Sequence, residues 1–304
     1  MITVFGSINM DLIATTDRLP QPGETVPGSS FSTAAGGKGA NQALAARRAG
    51  NAVHMVGAVG SDSFAEPALA LLGDAGVDLS GVARAASEPT GTALILVGGT
   101  GENMIAVVPG ANGTVDEAAA QAAVSAMSAG DILMVQLEVP PSAVEAALRS
   151  ARARGVRTVI NTAPLTAEAV QLAALADIVV ANETEFELLA GSEVKDDATR
   201  RAVLQELHAR TGQTFVVTLG ADGVIAVHEG RILVAASLPI QPVDTVGAGD
   251  TFCGYLAASL DQGLAFEDAL KRSAMAGSLA CLERGAQPSI PLARDVDARL
   301  SEHV

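Results

Sequence analysis

Six short apolar runs recur along this chain, at residues 2–5, 53–59, 132–136, 158–161, 178–181 and 215–218. Ala-rich segments of helical character lie between them, at 39–49, 64–75, 142–154 and 198–211. Runs so short and so uniformly apolar suit strands buried on both faces. A strand–helix–strand rhythm needs the long crossovers of a parallel sheet with helices on either side. The expected fold class is therefore α/β: a three-layer, doubly wound, mostly parallel sheet.

Four segments break the rhythm. Residues 12–16, 30–33, 91–97 and 103–108 read as paired strands joined by polar or Gly-rich turns, with Gly98-Gly-Thr-Gly101 as a hairpin loop. They are expected to form a small second sheet. Residues 224–227 and 232–236 suggest another hairpin, and the last third turns helical at 250–260, 266–282 and 294–302. There is no internal repeat, low-complexity tract or long linker.

Composition narrows the function classes. With seven Phe, one Tyr and no Trp, the core must be built from Ala, Val, Leu and Ile, and stacking platforms for nucleobases are nearly absent. A formal net charge of −15 repels polyanions such as nucleic acid, while a small phosphate ligand can still be held by local N–H groups and one or two cations. Cys253 and Cys281 have neither metal-ligand spacing nor the pattern of a disulfide framework, so a reducing, cytoplasmic setting fits best. The opening Met1-Ile-Thr-Val-Phe-Gly6 reads as a first strand rather than a leader, and no stretch of about 20 residues is apolar enough to span a bilayer.

The chemistry concentrates in Pro242-Val-Asp-Thr-Val-Gly-Ala-Gly-Asp-Thr-Phe252. Gly247, Ala248 and Gly249 are small residues at the entrance to an expected helix, where free N–H groups and the positive dipole end bind anionic oxygen. Asp250 adds a candidate general base beside that anion hole, the equipment for moving a phosphoryl group onto an alcohol.

Other motifs follow expected strands. Gly36-Gly-Lys-Gly-Ala-Asn-Gln42 opens a helix, offering close backbone approach and the donors Lys38 and Asn41. It lacks P-loop spacing, and a plain helix-entry turn would look the same. Gly6-Ser-Ile-Asn-Met-Asp11 places Asn9 and Asp11 on one side of an extended segment, suited to vicinal hydroxyls or to satisfying a turn. Gln136-Leu-Glu138 supplies a carboxylate at a strand's carboxyl end, which an ordinary loop Glu would also do. Asn182-Glu-Thr-Glu185 suits a helix cap, or contact with phosphate and a hydrated metal ion. Thr218-Leu-Gly-Ala-Asp-Gly223 suits a hairpin turn or a cover for nucleotide phosphates. Arg284-Gly-Ala-Gln-Pro-Ser289 is a loop whose carbonyls, with Asp244, suit a monovalent cation. His54, His208, His228 and His303 form no metal or triad pattern and read as structural or surface residues, and Cys253 reads as packing.

In this order, these motifs resemble the ribokinase-like (phosphofructokinase-B type) carbohydrate kinases from Gly6 to Ser289. The resemblance implies one kinase domain over residues 1–304, with a β lid built from segments within about 12–34 and 91–109. It implies ATP-dependent phosphorylation of the 5-hydroxyl of D-ribose, in a homodimer formed through the lid. Asn9, Met10, Asp11, Gly37, Lys38, Gly39, Ala40, Asn41 and Glu138 correspond to the sugar-binding set. Asp250 corresponds to the base and to a sugar contact, and Gly247, Ala248 and Gly249 to the anion hole. Asn182, Thr218, Leu219, Gly220, Ala221, Asp222, Gly223 and Gly249 correspond to ATP contacts. Glu185 matches a residue that places Mg²⁺ through water. An activating K⁺ is implied near Asp244, Val246, Ala280, Glu283, Gly285 and Ser289. Competing readings are the same chemistry on 2-deoxyribose, fructose or a nucleoside, and a non-catalytic sugar-binding protein on the same fold. A dinucleotide-dependent dehydrogenase is disfavoured, because Gly6-Ser-Ile-Asn9 is not G-x-G-x-x-G.

Overall fold

The computed structural model describes residues 1–302. In chain order, the first elements are β1 (Ile2–Phe5), β2 (Asn9–Thr16), β3 (Gly28–Gly36), α1 (Lys38–Arg48), β4 (Val53–Val59), α2 (Ala65–Ala75), β5 (Asp78–Arg84), β6 (Gly91–Val97) and β7 (Asn103–Val108). Next come α3 (Glu117–Ser125), β8 (Ile132–Val135), α4 (Pro141–Ala153), β9 (Arg157–Asn161), α5 (Ala169–Ala173), β10 (Ile178–Asn182), α6 (Glu183–Ala190) and α7 (Asp197–Thr211). The last are β11 (Thr214–Thr218), β12 (Val224–His228), β13 (Arg231–Ala235), α8 (Ala248–Asp261), α9 (Phe266–Ala280) and α10 (Ala293–Glu302).

Nine strands form the central sheet in the order β13-β12-β11-β10-β9-β8-β1-β4-β5. From β11 to β5 every pairing is parallel; β12 and β13 close the other edge as an antiparallel hairpin. The strands are apolar on both faces because each face meets helices. Ile2 and Val4 pack with α1, α2, α8 and α9, whereas Phe5, Leu133 and Val135 pack with α3, α4 and the layer beyond. Ala-rich helices let these layers approach closely. A Cβ on Gly254 of α8 would stand 2.5 Å from Ala45 Cβ of α1, so only glycine fits there.

Strand β1 lies between β4 and β8, and the chain moves outward from it in both directions. The crevice at the carboxyl ends of β1 and β8 is therefore the topological switch point, where open α/β sheets bind ligands. It carries Gly6–Ile8 from one strand and Gln136–Glu138 from the other.

The four rhythm-breaking segments do form a separate sheet, in the order β3-β2-β6-β7. Two of its strands are longer than the sequence suggests: β2 begins at Asn9 and β3 runs to Gly36, so both reach back to the crevice. The register puts Asn9, Asp11, Ile13 and Ile95 on one face and Leu12, Phe31, Leu94 and Met104 on the other. Phe31, Leu94, Met104 and Val108, all on the second face, are exposed.

Candidate active site

Helix α1 has no N-cap side chain of its own. Its first residue follows Gly37, held at φ 88°, where a Cβ would lie 2.7 Å from Asn9 N. Glu138 caps the helix instead, from the loop after β8: its Oε2 accepts from Lys38 N at 3.0 Å and from Ser7 Oγ at 2.5 Å. Ser7 takes the next two donors, its Oγ accepting from Gly39 N at 3.3 Å and its carbonyl from Ala40 N at 2.9 Å. The amides that open α1 are thus consumed by protein, and what this corner offers a ligand is side chains.

Those side chains retain unspent hydrogen-bonding capacity, which buried groups rarely do. Asn112 donates to Asn9 Oδ1 at 2.6 Å, leaving Asn9 Nδ2 without a partner among the described residues. The Asp11 carboxylate and the Lys38 ammonium accept and donate no hydrogen bond there either, and Asn41 Oδ1 is buried and unpaired. Burial first, and then the charges of Glu138 and Asp250, push Asp11 up to about 6, against a smaller opposing pull from Lys38. Burial alone would lower Lys38. The carboxylates of Asp250, Glu138 and Glu185 more than offset it, so the ammonium stays charged.

Asp250 sits at the head of α8, buried, with both oxygens occupied by amide donors. Asn41 Nδ2 donates to Oδ2 at 2.9 Å and Gln42 Nε2 to Oδ1 at 3.0 Å. The helix starts after Gly247 at φ 79°, where a side chain would run into Ala286. Ala248 N makes only a long bond to Thr245 O, 3.3 Å. The N–H groups of Gly247, Gly249 and Asp250 have no acceptor among the described residues. In contrast to α1, this helix presents bare donors and its positive dipole end.

Beyond that helix end opens a cavity of about 390 Å³. Thr218, Gly220, Ala221 and Gly223 line one wall, Leu238, Pro239 and Ile240 another, and Ala274, Gly277 and Cys281 of the α9 side a third. Ala248 and Gly249 form its inner end. The lining is mostly aliphatic and suits a flat apolar ring system, with phosphates directed toward the α8 N–H groups. Asp250 stands where this cavity meets the cluster of unpaired polar groups.

The remaining candidates have structural duties. Asn182 and Glu185 form a reciprocal cap on α6: Asn182 Oδ1 accepts from Glu185 N at 2.8 Å and Glu185 Oε2 from Asn182 N at 2.9 Å. Glu185 is buried, with Thr162 Oγ1 donating to it at 3.3 Å. Asp244 ties two loops together, accepting from Val246 N at 3.0 Å and Gly285 N at 2.9 Å. The carbonyls of Val246, Ala280, Glu283, Gly285 and Ser289 accept no hydrogen bond among the described residues, which leaves an oxygen-only donor set beside it. No group of three or more His, Cys, Asp or Glu is arranged to hold a metal among the described residues. His208 bridges Gln213 O and Gly230 N, and His228 stacks on Phe266; both are structural, and His303 lies outside the described residues. Burial raises the Cys253 thiol, with Asp250 and Glu185 adding to the effect, so it is inert packing.

The sequence motifs contain Ser7, Gln42 and Gln136 without giving them chemistry, and nothing in the sequence singles out Asn112, Asn161 or the 238–240 wall. Ser7 and Asn112 act through contacts with Glu138 and Asn9, and with nearby backbone, that no local pattern announces. Leu238, Pro239 and Ile240 look like any apolar loop until α9 is packed opposite them.

The description "pfkB family carbohydrate kinase" matches residues 1–293. The chain is 36% identical to a ribokinase of Haemophilus influenzae over 290 residues, 95% of each chain. It is 31% identical to a deoxyribokinase of Salmonella typhi over 301 residues, 99% of this chain and 98% of the other. The structure of Arabidopsis thaliana ribokinase complexed with ribose and ATP superposes with a TM-score of 0.88, at 30% identity and 98% coverage of each chain.

Proposed function

The chain belongs to the pfkB family of carbohydrate kinases, and on that premise we propose that it transfers the γ-phosphoryl group of ATP to the 5-hydroxyl of D-ribose. One observation carries the reading: Asp250 stands between a set of unpaired polar groups and an apolar cavity that ends on bare helix N–H donors. The first half suits a small, hydroxyl-rich acceptor, the second a nucleotide.

In this reading Asp11, Lys38, Asn41, Glu138 and Asn9 bind the sugar through the hydrogen bonds they do not make within the protein. Asp250 accepts the proton as the hydroxyl oxygen attacks. The new P–O bond forms in line with the bond to ADP, which breaks as ADP leaves. Gly247, Gly249 and the α8 dipole stabilise the charge that gathers on the transferred group. Glu185, acidic, buried and near Lys38, would hold Mg²⁺ through water, where the ion neutralises phosphate charge. The carbonyls beside Asp244 suit K⁺, which would brace the two loops behind Gly247. Both sets fit an oxygen-ligated cation.

The small sheet acts as a lid: its Asn9–Asp11 face looks into the sugar site. Its opposite face, with Phe31, Leu94, Met104 and Val108 exposed, fits a second copy of this chain, giving a homodimer.

The second reading is 2-deoxyribose, favoured by the deoxyribokinase likeness. Several polar groups left unpaired by a missing hydroxyl argue for ribose. ADP release from MgATP with each sugar, with and without K⁺, decides. We expect kcat/KM for ribose to exceed that for 2-deoxyribose by at least about 10²-fold; equal or inverted values refute ribose, and no sugar-dependent ADP refutes the kinase reading.

A further inference from the structure

We infer that Gln42 is a positioning residue for the base, itself kept in register by Gln136 and Asn161. The inference rests on the assignment of Asp250 above. Gln42 is fully enclosed, and its amide is used on both sides. Nε2 is shared between Asp250 Oδ1 at 3.0 Å and Asn161 Oδ1 at 3.2 Å. Oε1 accepts from Gln136 Nε2 at 2.7 Å. Asn161 is anchored in turn by donating to Val180 O at 3.3 Å. The carboxyl ends of β8 and β9 thus reach Asp250 through one amide of α1.

The direction of this chain of amides is what matters. A glutamine amide can turn over, and Gln42 turned over would aim a carbonyl oxygen at a carboxylate. The Asp250 carboxylate, which can only accept, disfavours that, and the bond from Gln136 opposes it further because Gln136 would have to turn over as well. Gln136 secures the orientation at its own cost, because its Oε1 is buried without a partner among the described residues. Room for that oxygen exists because residue 6 is glycine: a Cβ there would stand 1.9 Å away. An orphaned buried acceptor kept beside a glycine is hard to explain as packing and easy to explain as a device that points Nε2 at Asp250.

A neutral donor is the right choice. A cation in place of Gln42 would grip the carboxylate more tightly and make it a weaker base. Charge around Asp250 is already supplied by Lys38 of α1, which Glu138 and Glu185 also face; Asp11 of β2 and the protonated thiol of Cys253 on α8 face Asp250 as well.

The test is kinetic, with ribose and MgATP, on Gln42→Leu, Gln136→Leu, the double variant and Gln42→Glu. Gln42→Leu should lower kcat by about 10–100-fold, the cost of a misplaced catalytic group, with ribose KM changed by less than about threefold. Gln136→Leu, which touches neither ligand nor Asp250, should lose about 3–10-fold, and the double variant should be no worse than Gln42→Leu alone. Gln42→Glu should move the acidic limb of the kcat profile to higher pH, since two adjacent carboxylates resist joint ionisation. A folded Gln42→Leu enzyme within twofold of native kcat, or additive losses in the double variant, overturns the inference. Should Gln42→Leu fail to fold, the same-sized Gln42→Glu carries the test, and an unmoved acidic limb overturns it. Asp250→Asn is the control. Normal turnover there refutes the base assignment itself, whereas an inactive Asp250→Asn beside normal Gln42 variants refutes only the relay.

Discussion

Replacing Asp11 by asparagine should stabilise the ligand-free protein while removing its grip on sugar. Asp11 is largely buried, lacks a hydrogen-bond partner among the described residues and faces Glu138 and Asp250 as well as Lys38. Its carboxyl is raised from 3.8 to about 6. At about 1.36 kcal/mol per tenfold change in proton affinity, holding it ionised in the folded state costs roughly 3 kcal/mol. The folded protein binds the proton more tightly than the unfolded chain, so stability falls as pH rises from about 4 to 6, and the whole cost is present above that window. An asparagine amide left unpaired gives back part of the gain, so the net stabilisation at pH 8 should be about 1–2 kcal/mol. The sharper signature is the pH dependence. The gap between variant and native should shrink by about 1 kcal/mol between pH 8 and pH 5.5, a lower limit set by the pI near 4.6. Urea unfolding of both proteins without ligand measures this, and calorimetric titration with ribose should show affinity lost in the variant. Parallel stability curves across that range, or a variant less stable than native at pH 8, would refute the claim that Asp11 is a strained, unpaired carboxylate.

Asp250→Asn keeps the Asn41 and Gln42 contacts within reach, so it should fold and bind ribose while kcat falls by on the order of 10²–10⁴; steady-state ADP release checks this. Gly277→Leu places a side chain against Ala248 and Phe252 at the cavity, and should raise KM for ATP about tenfold or more while leaving the thermal shift given by ribose alone unchanged. Phe31→Lys combined with Leu94→Lys puts charge on the exposed apolar face of the small sheet. Light scattering should show a dimer for the native chain and a monomer for the double variant, and equal masses would rule this face out as the contact.

Short apolar runs alternating with Ala-rich helical segments made most of the framework readable. Residues 2–5, 53–59, 91–97 and 103–108 are β1, β4, β6 and β7 with the same bounds. The pattern fails where burial is partial. Strand β5, Asp78-Leu-Ser-Gly-Val-Ala-Arg84, is an edge strand with one partner, β4, and alternates weakly because much of it is exposed. Helix α3 carries an Ala stripe too small to stand out, though Asp116 caps it by accepting from Ala119 N at 2.8 Å. The apolar 238–240 wall is illegible for a related reason: Leu238 and Ile240 line a cavity only because α9 and the turn at Gly220–Asp222 leave a gap opposite them.

The two glycine-rich helix entrances show what patterning cannot decide. Gly36-Gly-Lys-Gly39 and Gly247-Ala-Gly-Asp250 look interchangeable in sequence, each a run of small residues opening a helix. They become opposites in the fold. A carboxylate 100 residues away, Glu138, and the hydroxyl and carbonyl of Ser7 claim the donors of α1, so that entrance can no longer attract an anion. Among the described residues no acid accepts from the entrance of α8, whose own acid, Asp250, is turned aside and held by Asn41 and Gln42. Spending one set of amides inside the protein and leaving the other bare gives the site its polarity. On the proposed reading, phosphate would be drawn to α8 and neutral hydroxyls to the side chains around α1, with Asp250 between them as the base.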